Sequence, residues 1–315
     1  DKDAKVIITT IQRLYSMLRG EEEYDFLNEE SSAFEISMGK PKELIYNPKF
    51  PIDFFDFIIV DECHRSIYGE WRQILEYFDA FIIGLTATPS KYTLGFFGQN
   101  IVSEYPLERS VIDKVNVNCE IFRIKTKISE EGGIIEKGFY IPLKDKKTRK
   151  MIYKTIDEDI EYKKSDLDRS VLVPNQIRTI MQCYKDSVFT ELFPERDATW
   201  IPKTLIFAKD DNHAEEIVKI TREVFSKGNE FCQKITYNIG KQNPEELIKS
   251  FRISPEFRIA VTVDMIATGT DIKPLEVLIF MRDVKSQMYY EQMKGRGVRS
   301  ININDLKSVT PNATG

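Results

Sequence analysis

Residues 54–60, Phe-Phe-Asp-Phe-Ile-Ile-Val, run directly into Asp61-Glu62-Cys63-His64. An apolar stretch of this length, broken only by Asp56, reads as a strand buried on both faces, the kind found inside a parallel sheet. Parallel strands cannot be joined by tight turns. They need crossovers, generally helices, so this one segment directs the chain toward an alternating α/β architecture. Open α/β sheets place their sites beyond the carboxyl ends of the strands. Two adjacent carboxylates delivered there can hold Mg²⁺ and orient a water for attack on a phosphate. An Asp-Glu pair after a strand also serves as a helix cap, so the rest of the chain has to decide between the two.

The alternation continues. Residues 81–85 form a second apolar run, and 70–78 between the two reads as a helix. Upstream, 6–9 is a short β-branched run, followed by helix-like apolar spacing over 11–18. The pattern resumes with a strand over 204–208, an amphipathic helix over 212–225, and a helix over 244–251 that opens with Pro-Glu-Glu. Strands over 258–263 and 277–281 follow, then a helix over 286–294 leading into Gly295-Arg296. No short-period internal repeat is present.

The middle of the chain differs. Residues 115–173 are charge-rich, with Lys144-Asp145-Lys146-Lys147 and Asp157-Glu158-Asp159. Gly132-Gly133 reads as a turn between strand-like stretches 120–128 and 134–142, hence a β-hairpin insertion within a linker. The alternative is a solvated surface excursion without function. Residues 21–48 read as a charged, irregular loop. The expected organisation is 1–114 as the C-terminal part of a first lobe, 115–174 as linker and hairpin, and 175–315 as a second lobe.

A length of 315 residues suggests two domains with room for two cores, and 42% hydrophobic with 30% charged residues describes a globular protein. No apolar run approaches the roughly 20 residues needed to span a membrane, and the charged N-terminus lacks a signal-peptide core. The four cysteines, 63, 119, 183 and 232, show neither C-x-x-C nor zinc spacing and read as free thiols of a reducing cytoplasm. A net charge of −5 gives no global basic field, although basic groups can gather in one groove.

Two further motifs lie in order along the chain: Gly84-Leu85-Thr86-Ala87-Thr88-Pro89 and Gln292-Met293-Lys294-Gly295-Arg296-Gly297-Val298-Arg299. Together with the acidic tetrapeptide they resemble the superfamily two helicases and translocases, motors of two RecA-like lobes. Longer strings narrow the resemblance. Val60-Asp61-Glu62-Cys63-His64-Arg65-Ser66-Ile67-Tyr68-Gly69-Glu70-Trp71-Arg72, Phe207-Ala208-Lys209-Asp210-Asp211-Asn212-His213-Ala214-Glu215 and Val261-Thr262-Val263-Asp264-Met265-Ile266-Ala267-Thr268-Gly269-Thr270-Asp271 are similar to the motor portion of the restriction (R, endonuclease) subunit of type I restriction–modification enzymes. The implied fold is α/β, with two RecA-like lobes on parallel sheets, the first truncated at its N-terminus. The implied cofactors are ATP and Mg²⁺. The implied partners are double-stranded DNA and the methyltransferase (M) and specificity (S) subunits, in the cytoplasm.

Asp61 is placed to bind Mg²⁺, through water because Mg²⁺ keeps part of its hydration shell. Glu62 would orient or deprotonate the attacking water. The resemblance implies that His64, one of only two histidines, helps couple hydrolysis to movement, and that Thr86 and Thr88 link the nucleotide site to nucleic acid. Without the acidic pair, a capping histidine and a strand end with a Pro turn would be the readings. His213 reads as structural. Arg296 and Arg299, three positions apart, would share one face of a helix. An arginine at the γ-phosphate in the transition state is worth about 10³–10⁵ in rate, and Gln292 precedes the pair. Gly269 and Asp271 match the nucleotide-facing loop of the second lobe, Gly269 for a tight turn and Asp271 as an acceptor toward ribose or arginine. Thr10 and Gln12 in the first lobe and Thr262 and Thr268 in the second are candidate contacts to nucleic-acid phosphates. Read singly, each is equally an ordinary cap or strand residue. Lys209, Arg252 and Arg258 could add basic charge.

A motor of this type needs a phosphate loop, G-x-x-x-x-G-K-[ST] or a variant. Neither Gly39-Lys40 nor Gly240-Lys241 is followed by Ser or Thr. The family places that loop, and the nuclease domain, ahead of the acidic motif, so the chain reads as a fragment that is catalytically inactive by itself. The competing readings are another superfamily two DNA or RNA helicase, or a silent nucleic-acid- or protein-binding fragment.

Overall fold

The computed structural model describes residues 4–19, 44, 46–67, 71–124, 133–135, 140–144, 151–155, 160–162, 174–236, 243–263, 271–284 and 286–314. The chain divides into two compact units, Asp1–Glu104 and Tyr105–Gly315.

In the first unit, Thr10 caps α1 (Ile11–Arg19), its Oγ1 accepting the Arg13 N–H at 3.3 Å. β1 (Phe57–Val60) pairs in parallel with β2 (Phe81–Gly84), from Phe57 opposite Phe81 to Val60 opposite Gly84. The crossover carries α2 (Arg72–Tyr77). α3 (Lys91–Phe96) follows β2 and opens on a reciprocal Ser90–Thr93 capping box. Leu14, Leu18, Ile74 and Phe78 are buried, with Phe50, Phe54, Phe55, Trp71 and Tyr77 packed around them. Asn47 closes the far end of α1 by donating to the Leu18 carbonyl at 2.7 Å. Its own N–H donates to the Tyr77 hydroxyl, which donates on to the Phe50 carbonyl at 2.8 Å.

Two expectations are corrected in this unit. β1 and β2 are not buried on both faces: Phe57, Ile59, Phe81 and Ile83 are exposed, Phe81 by 75%. The aromatic core covers one face of this two-stranded sheet, and among the described residues no layer covers the other. Residues 6–9 form no ladder, and Val6 and Ile8 are exposed. β-branching favours a pleated surface only where a partner strand supplies one.

The second unit begins with α4 (Leu107–Ile112). Two antiparallel pairs follow: β3 (Gly133–Ile135) with β6 (Ile160–Tyr162), and β4 (Tyr140–Lys144) with β5 (Met151–Thr155). The hairpin expected around Gly132-Gly133 is therefore replaced. Gly133 opens a strand that pairs with β6, and 120–124 is not in a strand. Gly132, the tracts 145–147 and 157–159, and 21–43 lie outside the described residues.

α5 (Pro174–Ser187) runs into a π-helical turn, Val188–Leu192. β7 (Thr204–Phe207), α6 (Asp211–Phe225), β8 (Cys232–Lys234), α7 (Pro244–Ile253), β9 (Ile259–Thr262), β10 (Val277–Phe280), α8 (Gln287–Lys294) and α9 (Ile303–Val309) complete the chain. The sheet order is β10-β7-β9-β8, parallel throughout. Every residue of β7 and β9 is buried. Met181, Tyr184 and Val188 join Ile217 and Val224 against Ile206, Ile259 and Val261 in one core.

Two buried cations tie the amino ends of this sheet to the helices. Lys203 Nζ donates to the carbonyls of Phe251, Ser254 and Phe257, at the end of α7 and just beyond it. Arg258 donates to the carbonyls of Ile201 and Val309 and to Thr310 Oγ1. Burial, with Arg258 nearby, pulls Lys203 down to about 7, and Glu276 opposes the shift. Among the described residues no helix is long and apolar enough to cross a membrane.

Candidate functional site

The ladder between the two strands of the first unit does not stop at its last rung. Leu85 N–H donates to the Val60 carbonyl at 2.9 Å, and Cys63 N–H donates to the Leu85 carbonyl at 3.0 Å. Between these anchors Glu62 adopts φ 47°, ψ 46°, with its N–H held by Asp61 Oδ1 at 2.9 Å. A non-glycine residue there stores roughly 1–3 kcal/mol and persists only where its surroundings fix it. Here the cross-strand bonds do so. The chain then enters a 3₁₀ turn over Cys63–Arg65.

This reversal points Glu62 at His64. Glu62 Oε2 lies 3.3 Å from His64 Nδ1, and Thr86 Oγ1 lies 3.0 Å from the same nitrogen. The imidazole is 1% exposed. Thr86 Oγ1 is the hydrogen-bonding partner of Nδ1, and the Glu62 carboxylate stands beside the same nitrogen at ion-pair distance. Thr86 Oγ1 also accepts the Thr88 N–H at 3.1 Å. His64 thus joins the end of β1 to the end of β2 through side chains. Asp61, one residue before Glu62, is exposed. The sequence expectations for Glu62, His64, Thr86 and Thr88 fall in one cluster.

Gly84 is required by packing. A Cβ there would lie 2.4 Å from the Phe97 ring and 2.9 Å from Cys63 Sγ. Burial, then the neighbouring Glu62, push the Cys63 thiol up, so Cys63 is filler beneath the site and not a thiolate nucleophile. Among the described residues, no three His, Cys, Asp or Glu side chains gather as a metal site.

In the second unit Ser286 caps α8, accepting the Tyr289 N–H. Half-buried Gln292 lies on this helix. The expectation that Arg296 and Arg299 share a helical face is corrected. α8 ends at Lys294 with Gly295 as its cap, and Arg296 sits in the following turn. Arg299 is in an antiparallel bridge with Asn116. Two glycines within three residues disfavour helix, and a Cβ at Gly297 would press on Leu278 of β10 at 3.0 Å. The chain therefore leaves the helix to lie against the sheet, with Val298 buried and Arg299 exposed.

Other expected residues scatter. Thr10 is spent capping α1, and Gln12 is half-buried on it. Thr262 is wholly buried at the end of β9, its Oγ1 without a hydrogen-bond partner among the described residues. Asp271 is exposed, and Thr268 and Gly269 lie outside the described residues. Arg258 serves the interior and is not available to a charged track. His213 Nδ1 accepts the Lys209 N–H at 3.2 Å, and burial lowers its pKa from 6.5. Sequence reasoning gave no signal for Asn116, which meets Arg299 across 183 positions (299 − 116).

Parallel sheets in both units, with a carboxylate pair and a Thr-Ala-Thr segment at adjacent strand ends, give a mixed α/β fold with its candidate residues beyond the strand ends. Residues 1–91 match the family described as "Type III restriction enzyme, res subunit", and 185–300 match "Helicase conserved C-terminal domain". The type I restriction enzyme EcoKI endonuclease subunit of Escherichia coli (strain K12) is 30% identical over 276 residues, spanning 79% of this chain and 23% of that protein. The EcoAI endonuclease subunit of Escherichia coli is 28% identical over 261 residues, spanning 78% of this chain and 30% of that protein. A fragment structure assigned to the HsdR subunit of a type I restriction enzyme from Vibrio vulnificus YJ016 is 24% identical, with a TM-score of 0.49 over 83% of this chain and 43% of that one. The chain carries both of these domains and is homologous to the endonuclease subunits of type I restriction enzymes. It spans less than a third of the length of these two curated relatives.

Proposed function

We propose that this chain is the motor portion of a type I restriction subunit, an ATP-driven translocase on double-stranded DNA whose movement precedes cleavage by a nuclease domain. The observation that carries the reading is the Glu62–His64–Thr86 cluster, in which a strained carboxylate at one strand end is joined through a buried imidazole to the neighbouring strand end. A mere helix cap needs neither the left-handed backbone at Glu62 nor the histidine link.

The donor set fits ATP and hydrated Mg²⁺. Asp61 is an exposed carboxylate beyond a parallel strand, with one oxygen fixed by a backbone N–H, which suits a water-mediated contact to the ion. When bound, Mg²⁺ neutralises phosphate charge. Glu62 orients the attacking water and takes its proton, held in place by His64. Thr86 and Thr88 transmit the state of Glu62 along the second strand end. Arg296 and Arg299 supply positive charge to the phosphoryl oxygens, with Gln292, Gly269 and Asp271 facing the nucleotide. Gln12 and Thr268 are the candidate contacts to the DNA backbone, which they would hold without reading bases, since Thr10 caps α1 and Thr262 is buried; sequence choice rests with the S subunit of a complex that also contains M subunits.

Displacement of a third strand from a triplex by the intact protein, with Mg·ATP, tests the reading. Displacement with the underlying duplex left paired is expected. Strand separation of the duplex would move the protein to the unwinding helicases.

A further inference from the structure

We infer that the segment 105–117 is a strap that sets the position of Arg299. This deepens the proposed ATPase and rests on it. The strap is a built element. The Tyr105 hydroxyl and Arg109 both donate to Asp113 Oδ2, at 3.0 and 3.4 Å. Ser110 is buried, and its Oγ lies 2.9 Å from the Asn116 side-chain amide. Lys114, at φ 59°, turns the chain sharply out of α4, so that the N–H groups of Val115 and Asn116 both return to the Ser110 carbonyl.

The strand that leaves this turn pairs with the arginine segment. Val117 N–H donates to the Val298 carbonyl at 2.8 Å, and Ser300 N–H donates to the Val115 carbonyl at 3.3 Å. Ser300 Oγ adds a third bond to the Val115 carbonyl at 2.8 Å. These two backbone bonds bracket Asn116 and Arg299 as a facing pair. In such a pair side chains alternate by residue, so a slip of one position would turn Arg299 inward and Val298 outward. The register seen here does the reverse, with Val298 buried and Arg299 exposed. The arginine segment follows Gly295 and Gly297, which give it little stiffness of its own. The outward aim of Arg299 therefore comes from a partner strand far away in sequence. The residues of the strap are positioning residues, which act through the arginine.

Val117→Pro deletes the N–H that holds Val298, and Val117 is itself exposed. DNA-stimulated Mg·ATP hydrolysis by the intact protein is compared for wild type, Val117→Pro, Arg299→Ala and the double variant. The expected loss in kcat for Val117→Pro is about 10–100-fold, the scale of a misplacement near 1 Å, with the KM for ATP within about twofold. On the Arg299→Ala background the same change should cost less than about twofold, and Val117→Ala, which keeps the N–H, should retain wild-type kcat. An equal loss on both backgrounds, or an unchanged kcat in Val117→Pro, overturns the strap. If Val117→Pro does not fold, Ser300→Ala, which removes only the hydroxyl bond to Val115, enters the same cycle, where a loss of kcat that vanishes with Arg299→Ala is expected and no loss overturns the inference. Glu62→Gln separates the two levels. Wild-type turnover in that variant defeats the ATPase reading and the strap with it, whereas Glu62- and Arg299-dependent turnover that ignores the strap variants defeats the strap alone.

Discussion

β1 and β2 carry Phe-Ile-Ile-Val and Phe-Ile-Ile-Gly, and β7 and β9 carry Thr-Leu-Ile-Phe and Ile-Ala-Val-Thr. By composition the first pair is the more apolar, yet it is the pair with an exposed face, while β7 and β9 are buried at every position. Burial follows the number of covering layers and flanking strands more than the strand's own residues. β7 and β9 lie inside a four-stranded sheet under α5 and α6, whereas among the described residues β1 and β2 have only each other and one aromatic layer. The carboxylates at the end of β1 are therefore held by local devices: the strained Glu62, the His64 link and the close approach at Gly84. The arginine segment rests against a filled core through Val298 and Gly297.

The largest effect that separates the two sheets should come from matched aromatic truncations. Phe207 is wholly buried and stacks on Phe280 at 5.3 Å, so Phe207→Ala should cost about 3–5 kcal/mol in denaturant unfolding of the second unit. A cost below about 1 kcal/mol would mean that the sheet is not filled as described. Gly84→Ala should come next. The added methyl must displace Phe97 or Cys63, a strain of about 1–3 kcal/mol, and because Cys63 adjoins Glu62 it should also slow ATP hydrolysis. Unchanged stability and rate would show that Phe97 moves aside freely.

A smaller effect depends on pH. His213 has a folded pKa below its ordinary 6.5 because of burial, and its Nδ1 already accepts the Lys209 N–H. Below pH 6.5 the unfolded chain takes up a proton that the folded chain refuses, so this stability is present above 6.5 and is lost as pH falls toward the folded value. His213→Asn, whose amide oxygen can stand in for Nδ1 as acceptor, should flatten the decline of the unfolding midpoint of the second unit on acidification. An undiminished slope would assign the decline to other groups. The smallest effect is expected at Phe81, which is 75% exposed. Phe81→Ala should shift stability by less than about 1 kcal/mol, and a loss near that of Phe207→Ala would erase the contrast between the sheets.

Much of the fold was legible because its signals are local. The apolar runs at 204–208, 258–263 and 277–281 become β7, β9 and β10, and the Pro-Glu-Glu start and Ser286 cap mark α7 and α8. The three-residue β8, with one apolar side chain, has no periodicity to detect. α5 has a sparse apolar stripe of Ile177, Met181 and Tyr184, which the charge-rich tract before it does nothing to sharpen. At the site, the adjacent pair Asp61-Glu62 announces its chemistry by residue type. The backbone that aims it depends on cross-strand bonds to Val60 and Leu85, which no spacing rule encodes. The helical face expected for Arg296 and Arg299 failed for the same reason. The spacing is compatible with a helix, but the packing of Gly297 on Leu278 and the pairing with 115–117 decide otherwise.

The most direct test of the central claim, that Glu62 held by His64 is the hydrolytic base, is Mg·ATP turnover by the intact protein with and without duplex DNA, comparing wild type with Glu62→Gln and His64→Ala. DNA-stimulated turnover should be abolished by Glu62→Gln while ATP still binds, and His64→Ala should uncouple stimulation by DNA from hydrolysis. Near-wild-type turnover in Glu62→Gln would contradict the account.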